Sequence, residues 1–464
     1  EISCSLVGSE MCIRDSNAAW DYSEYASVAT VQLNILIGED QEATSSNSHS
    51  KVDNSVYGGG MAGITVVDDD VTISIKDSTT NGSVYGGGMG VAGQSEPGKM
   101  TVVGAICIHV SESQIGTSET DYAAFGGGEN SDVVASSIDI SFGDDSHVYG
   151  SIFGGGLEGD VLSNNITVMV SAGTEVQGSV YGAGAFGMTG SDSKPLNVCV
   201  AIAGTVKGNV HGGALGSSDG SEINDDPLVF GTRYVTVYGD AKVGGSVYGG
   251  SRNASATGDN YVLLISGKKE GNAFGGPFMG SLKDNAHAYV GDYAYYSALD
   301  FGIVSEGSYE SYRAIGMTVG IGIYGGGDVG DPSNSNLSGT VTVQGDTEVL
   351  IGKDVLVDGE IDYGPNGYGS AGYQSIPVSA GTIAGAGNAG TIGGESTVTV
   401  SGITIGADGS LYSIQRSDNL ILICADATFQ GEYDGAVSGP SERWSISSIK
   451  TCLLYTSPSP RDCS

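Results

Sequence analysis

The chain has 464 residues, 54 acidic against 18 basic, and a formal net charge of −36 at pH 7. That balance excludes nucleic acid and anionic membrane surfaces as partners, since both repel such a chain, and no apolar run reaches the roughly 20 residues of a membrane span. Glycine supplies 78 residues, yet 39% of the chain is hydrophobic, too much for a disordered acidic tail and suited to a folded all-β protein with many tight turns.

The first stretch, Cys4–Asp15, and the last, Cys452–Ser464, encode each other. Back-translated with one permitted codon choice, the last stretch has a reverse complement that reads, two bases in, as C-S-L-V-G-S-E-M-C-I-R-D. That is Cys4–Asp15 residue for residue. The nucleotide string resembles a transposon-end adapter used in sequencing libraries. This implies that residues 1–16 and 452–464 are translated adapter, to be set aside before fold reasoning, and that the biological chain is a fragment spanning 17–451. Cys4, Cys12, Cys452 and Cys463 leave with the adapter. Cys107, Cys199 and Cys424 stay, too widely spaced for a disulfide framework or a zinc site.

After one incomplete unit with a strand at Thr30–Ile37, the chain repeats itself. NSVYGGG (54–60) returns as GSVYGGG (82–88), GSIFGGG (150–156), GSVYGAG (178–184), GNVHGGA (208–214) and GSVYGG (245–250). Weaker copies lie at 123–128, 271–276 and 322–327. The aromatic position falls at Tyr57, Tyr85, Phe125, Phe153, Tyr181, His211, Tyr248, Phe274 and Tyr324, with steps of 26, 28 or 30 residues and longer gaps of 37, 40 and 50. Each unit also holds an alternating run such as VTISI (71–75), with Val71, Ile73 and Ile75 on one face, and a Gly-rich corner with a short strand, as in GTVKG (204–208).

Three short strands per roughly 28 residues describe one coil of a β-solenoid. A propeller blade needs about 40 residues and four longer strands. The fold expected is therefore a single right-handed parallel β-helix of about ten coils over residues 17–410. Residues 281–322 form an inserted Tyr-rich loop, and 411–451 a last coil or the start of a further segment. The repeats resemble those of Gly-rich β-helical adhesin-like surface proteins of anaerobic gut or rumen bacteria. The resemblance covers most of 50–410, rests on composition and period, and implies an architecture and a setting, without a reaction.

The GGG triplets lack the Gly-Lys-Ser/Thr and helix of a phosphate loop, so they read as corners that need positive φ or a close approach of backbones. The repeated aromatics predict a stabilising ring ladder; a row facing solvent would instead hold sugar rings. Asp68, Asp69, Asp70, Asp144 and Asp145 sit beside turns and suggest weak calcium sites or solvated acidic turns. The insertion gathers Tyr289, Tyr293, Tyr295, Tyr296, Tyr309 and Tyr312, a set suited to glycan or protein contact on a rigid scaffold or to packing on that scaffold. Arg252, Lys268, Lys269, His287 and Arg313 are the one loose basic group that an enzyme would draw on.

The function expected is an extracellular or bacterial cell-surface structural and adhesive protein. It would be a rigid acidic rod that presents loops to a glycan or surface protein and needs no cofactor. A carbohydrate-active β-helix enzyme, using carboxylates from adjacent coils, is the alternative.

Overall fold

The computed structural model describes residues 2–6, 28–38, 50–329 apart from 62, 91–97, 144 and 217–223, then 341–352, 378–387 and 391–401, with further strands at 355–357, 360–362, 404–405, 413–415, 420–425 and 428–429. It is mostly β, with long parallel sheets. Two compact units divide the chain: residues 1–233 with 251–257, and residues 234–250 with 258–464. No helix is long and apolar enough to cross a membrane among the described residues.

In the first unit the alternating runs form one sheet. Leu33–Ile37, Val71–Lys76, Ala105–Ser111, Ser137–Gly143, Asn165–Val170 and Leu196–Ile202 pair in that order, each parallel to its equivalent one repeat on. The register is the same throughout. Ile35, Ile73, Ile108, Ile140, Val168 and Val200 make one buried column. Asn34, Thr72, Cys107, Asp139, Thr167 and Cys199, one residue off, make a column on the opposite face. Val28–Thr30, Ile64–Val67, Gly98–Val102, Ser131–Val134 and Val161–Leu162 build a second parallel sheet. The short strands around each glycine corner build a third. This arrangement is consistent with an all-β parallel solenoid. Ile2–Leu6, within the stretch read as adapter, pairs antiparallel with Leu33–Ile37, the edge strand that any β-prone segment can extend.

Each letter of S-V-Y-G-G-G has its own task between coils. The serine Oγ accepts the backbone N–H of the equivalent residue one repeat on: Ser55 from Ser83 at 3.1 Å, Ser151 from Ser179 and Ser179 from Asn209 at 3.0 Å. The aliphatic residue points inward; Val84, Ile152, Val180 and Val210 have no exposed surface. The first glycine serves close approach. A Cβ on Gly154 would lie 2.1 Å from the Gly182 carbonyl oxygen, and one on Gly126 would lie 2.3 Å from that of Gly154. Space, rather than positive φ, excludes a side chain there.

The second unit repeats the design. Asn260–Leu264, Ala286–Val290, Thr347–Gly352, Ser396–Ser401 and Leu420–Ala425 pair in parallel. The strand at 420–425 thus continues the pairing into the region past 410. Within 281–322, Gly280–Leu282, Ala286–Val290 and Met317–Tyr324 remain strands of parallel sheets, so the break is confined to 291–316. It is helical: Asp292–Asp300 and Tyr309–Ile315 are α-helices and Glu306–Ser308 a 3₁₀ turn. Between Gly291 and Gly302 the chain has no glycine, and Ala294 and Ala298, four apart on one helix face, bury against Leu263 and Ile265.

One core position in this unit departs from the apolar rule. Lys269 pairs with Val243 on one side and Val319 on the other, has no exposed surface, and its Nζ has no hydrogen-bond partner among the described residues. Burial holds its amine well below the usual lysine range.

Two outcomes test this architecture. Gly154→Ala should lower the unfolding free energy by about 3 kcal/mol, whereas Gly307→Ala, whose Cβ meets nothing within 4 Å, should leave the melting temperature unchanged. Lys269→Met should stabilise the protein at neutral pH. The unfolded chain takes up a proton below about pH 10.4 that the folded chain refuses until its own lower value. Wild-type stability therefore rises with pH across that window, and denaturation at several pH values should show the variant's advantage shrinking as pH climbs toward the unfolded value.

Candidate functional site

The nine aromatic positions stack within each unit. In the first, ring centroids from Tyr57 through Tyr85, Phe125, Phe153 and Tyr181 to His211 are 4.8 to 4.9 Å apart with planes within 6° of parallel. In the second, Tyr248, Phe274 and Tyr324 stack at 5.1 and 4.7 Å. The strand spacing of about 4.8 Å sets this separation, and such pairs contribute about 1 kcal/mol each beyond burial. A ring in this row spends its faces on its neighbours, and a sugar needs an exposed face. Residues after the glycines then cover the edges: Leu157, Ala185 and Leu215 pack on the first row, and Phe278 meets Tyr248 edge-on at 5.5 Å.

The same post-glycine position also anchors hydroxyls. Tyr57 donates to Glu129, two rings along its stack, and Tyr248 donates to Asp328 at 3.1 Å, again two rings along. Burial and the Glu129 charge push the Tyr57 hydroxyl far above the usual range. Burial, with a smaller push from Arg252, takes His211 down to about 3, so it stacks as a neutral ring.

The turn acids act as bridges between coils. Asp70 Oδ1 accepts the Ala105 N–H at 2.7 Å, Asp132 Oδ1 accepts that of Asp160 at 3.0 Å, and Asp160 Oδ1 accepts that of Met188 at 2.8 Å. Asp259 and Asp346 do the same for Asn285 and Glu395 in the second unit. Asp160 is raised by burial, opposed by the Met188 N–H. Among the described residues no three His, Cys, Asp or Glu side chains gather as metal ligands, Asp68, Asp69, Asp70 and Asp145 included; Asp144 lies outside the described residues.

The tyrosines of the insertion mostly face one another. Tyr293 and Tyr295 are buried. Tyr295 meets Tyr296, Tyr309 and Tyr312 edge-on at 5.4, 5.0 and 6.2 Å, and Tyr309 donates to Asp292 at 2.6 Å. Tyr289 instead enters a polar group on the outer face of the sheet beneath. It donates to Glu348 Oε2 at 2.6 Å, and His287 Nδ1 lies 3.0 Å from the same oxygen. His287 stacks on Tyr261 at 4.4 Å, and Tyr261 on Tyr234 at 5.2 Å, with Phe301 from the insertion against both tyrosines.

Burial pushes the Glu348 carboxyl up, but the hydrogen bonds from His287 and Tyr289 and the His287 charge hold it below the usual range. Burial and Glu348 together push Tyr289 far upward, and burial with Asp259 takes Tyr261 up to about 12. The set joins three polar side chains by short hydrogen bonds and offers an aromatic surface beside them. Register places Glu348 opposite His287, a pairing visible in sequence only by aligning HAYV (287–290) with EVLI (348–351) across the insertion.

The loose basic group of the sequence is dispersed. Lys268 reaches Glu270, Lys269 is in the core, His287 meets Glu348, and Arg313 pairs with Glu310 along its own helix. Compared with known proteins, the chain matches no family model, no curated protein and no solved structure.

Tyr289→Phe should cost about 2 kcal/mol of stability, the usual loss for a hydrogen bond to a charged group. Glu348 lies lower folded than unfolded, so it stabilises above the unfolded value of about 4.3 and loses that contribution as pH falls through its folded value. Glu348→Gln should flatten this acid limb in a pH series of melting curves.

Proposed function

We propose that the chain is a stretch of single right-handed parallel β-helix, secreted or displayed on a bacterial surface, with a structural and adhesive role. The acidic scaffold stiffens itself and presents the helical insertion of its second unit to a glycan or surface protein. One observation carries this reading: the repeat spends its serines, rings, glycines and turn acids on coil-to-coil contacts, while the insertion leaves Phe301 and Ile315 exposed beside half-buried Tyr296 and Tyr312. Exposed apolar residues grouped on a rigid scaffold mark contact surfaces. We further propose that the terminal stretches 1–16 and 452–464 are adapter-derived and take no part.

A carbohydrate-active enzyme is the second reading, favoured by the His287, Tyr289 and Glu348 group. Release of new chain ends from a polysaccharide, lost in Tyr289→Phe, would move the assignment there.

The adhesive reading is tested by binding of the intact chain to immobilised glycans and surface-protein extracts. Phe301→Ala with Tyr296→Ala should weaken binding at least tenfold, a loss of about 1.4 kcal/mol, measured at a temperature where melting curves show both proteins fully folded. Full binding by this variant would remove the insertion from the role, and no binding by the intact chain would end the adhesive reading.

A further inference from the structure

On the outer face of the second unit's sheet, four residues share one register. Tyr261 pairs with His287, His287 with Glu348, and Glu348 with Thr397, each on the next parallel strand. They form a row that advances by about 4.8 Å per strand. Tyr261 and His287 stack at 4.4 Å with planes 6° apart, so they spend their facing surfaces on each other and keep only their rims for a ligand.

The polar atoms of this row are only partly used. Glu348 Oε2 accepts the Tyr289 hydroxyl at 2.6 Å and the His287 Nδ1–H at 3.0 Å. Glu348 Oε1, His287 Nε2 and the hydroxyls of Tyr261 and Thr397 have no hydrogen-bond partner among the described residues, and none of the four is sealed from solvent. The side chains of His287 and Glu348 keep 15% and 27% of their surface exposed.

One end of the row has an apolar rim. Phe301, 44% exposed, lies 5.7 Å from Tyr261 and 4.4 Å from Tyr234, which itself stacks on Tyr261 at 5.2 Å. A Cβ on the adjoining Gly302 would meet nothing within 4 Å, so the turn that carries Phe301 stands clear.

A carboxylate, an imidazole nitrogen and two hydroxyls in line suit a ligand whose groups both donate and accept, repeated at the same step. Phe301 adds a surface for C–H groups. Sugar hydroxyls meet the first condition. An extended β-1,4-linked hexose chain meets the others, since it advances by nearly one strand spacing per residue. A polyanion is opposed by Glu348 and by the net charge of −36, and a cation finds Glu348 already paired with His287.

We propose that the row Tyr261, His287, Glu348 and Thr397, with Phe301 at its end, binds a neutral β-1,4-linked hexose chain that lies along the row, one sugar per strand. The inference rests on the glycan-binding form of the adhesive reading and names its ligand class.

The test is calorimetric titration of the intact chain with β-1,4-linked gluco-oligosaccharides of two to six units, against the α-1,4-linked series. Affinity should rise about fivefold with each sugar up to the tetramer, the worth of one hydrogen bond, and then level off. The α-1,4 chain curls away from a straight row and should gain nothing beyond the disaccharide. Short chains seat at the Phe301 end. At a temperature where melting curves show each variant folded, Phe301→Ala should therefore weaken every length about fivefold or more, whereas Thr397→Val should weaken only the tetramer and longer chains. Affinity independent of length, an equal gain in the α-1,4 series, a Thr397→Val protein that binds the tetramer in full, or release of new chain ends from the hexamer would overturn the row. If other glycans or surface proteins still bind and lose affinity with Phe301→Ala and Tyr296→Ala, the adhesive reading stands and only this ligand falls; binding to nothing ends both.

Discussion

The structure depends on one distance, the separation of about 4.8 Å between hydrogen-bonded parallel strands. Each strand bonds its equivalent one repeat on, so every side chain sits directly above a residue from the same place in the neighbouring repeat. Aliphatic positions become continuous buried columns such as Ile73, Ile108 and Ile140. Aromatic positions become stacked rings. The first glycine of each corner survives because the next carbonyl stands where a Cβ would go.

The same distance makes a strongly acidic chain hard to stack. Two carboxylates one coil apart repel by about 1 kcal/mol even in water. The outward column of the first unit avoids this by setting Asp139 between Cys107 and Thr167. At the turns the acids are not spread apart but put to use. Asp132 and Asp160 are one coil apart, and each takes a backbone N–H from the coil that follows. A carboxylate that accepts a backbone donor satisfies a group that would otherwise lie unpaired at the edge of a sheet.

Close stacking also decides where recognition can occur. Rings stacked on both sides have no face left for a ligand, so the repeat closes the inner members of each row, such as Phe125 and Phe153, to solvent. Among the described residues, exposed aromatic surface is found where the repeat is broken, as at Phe301 beside the helices of 292–315, and Tyr122 lies across the row instead of within it. In the second unit the insertion draws its tyrosines into a small core of their own, and only Tyr289 joins the polar group with His287 and Glu348.

Period and alternation alone determined the all-β class, the parallel pairing and the identity of the inward residues, because strand geometry repeats every two residues and stacking repeats every coil. The recurring SVYGGG marked the stacked rings for the same reason: positions one period apart must meet. The tertiary structure alone decided what crosses coils at unequal sequence distance. Glu348 meets His287 61 residues away, Glu129 meets Tyr57 across 72, and Asp328 meets Tyr248 across 80, separations that insertions of variable length hide from any fixed period. It also decided that the tyrosine-rich insertion is helical and closed on itself, since burial of Ala294 and Ala298 on the sheet, not tyrosine content, sets which way those rings turn. Lys269 falls in the sequence within the loose basic group that an enzyme would draw on; only the column of Val243 and Val319 on either side places its amine inside the core.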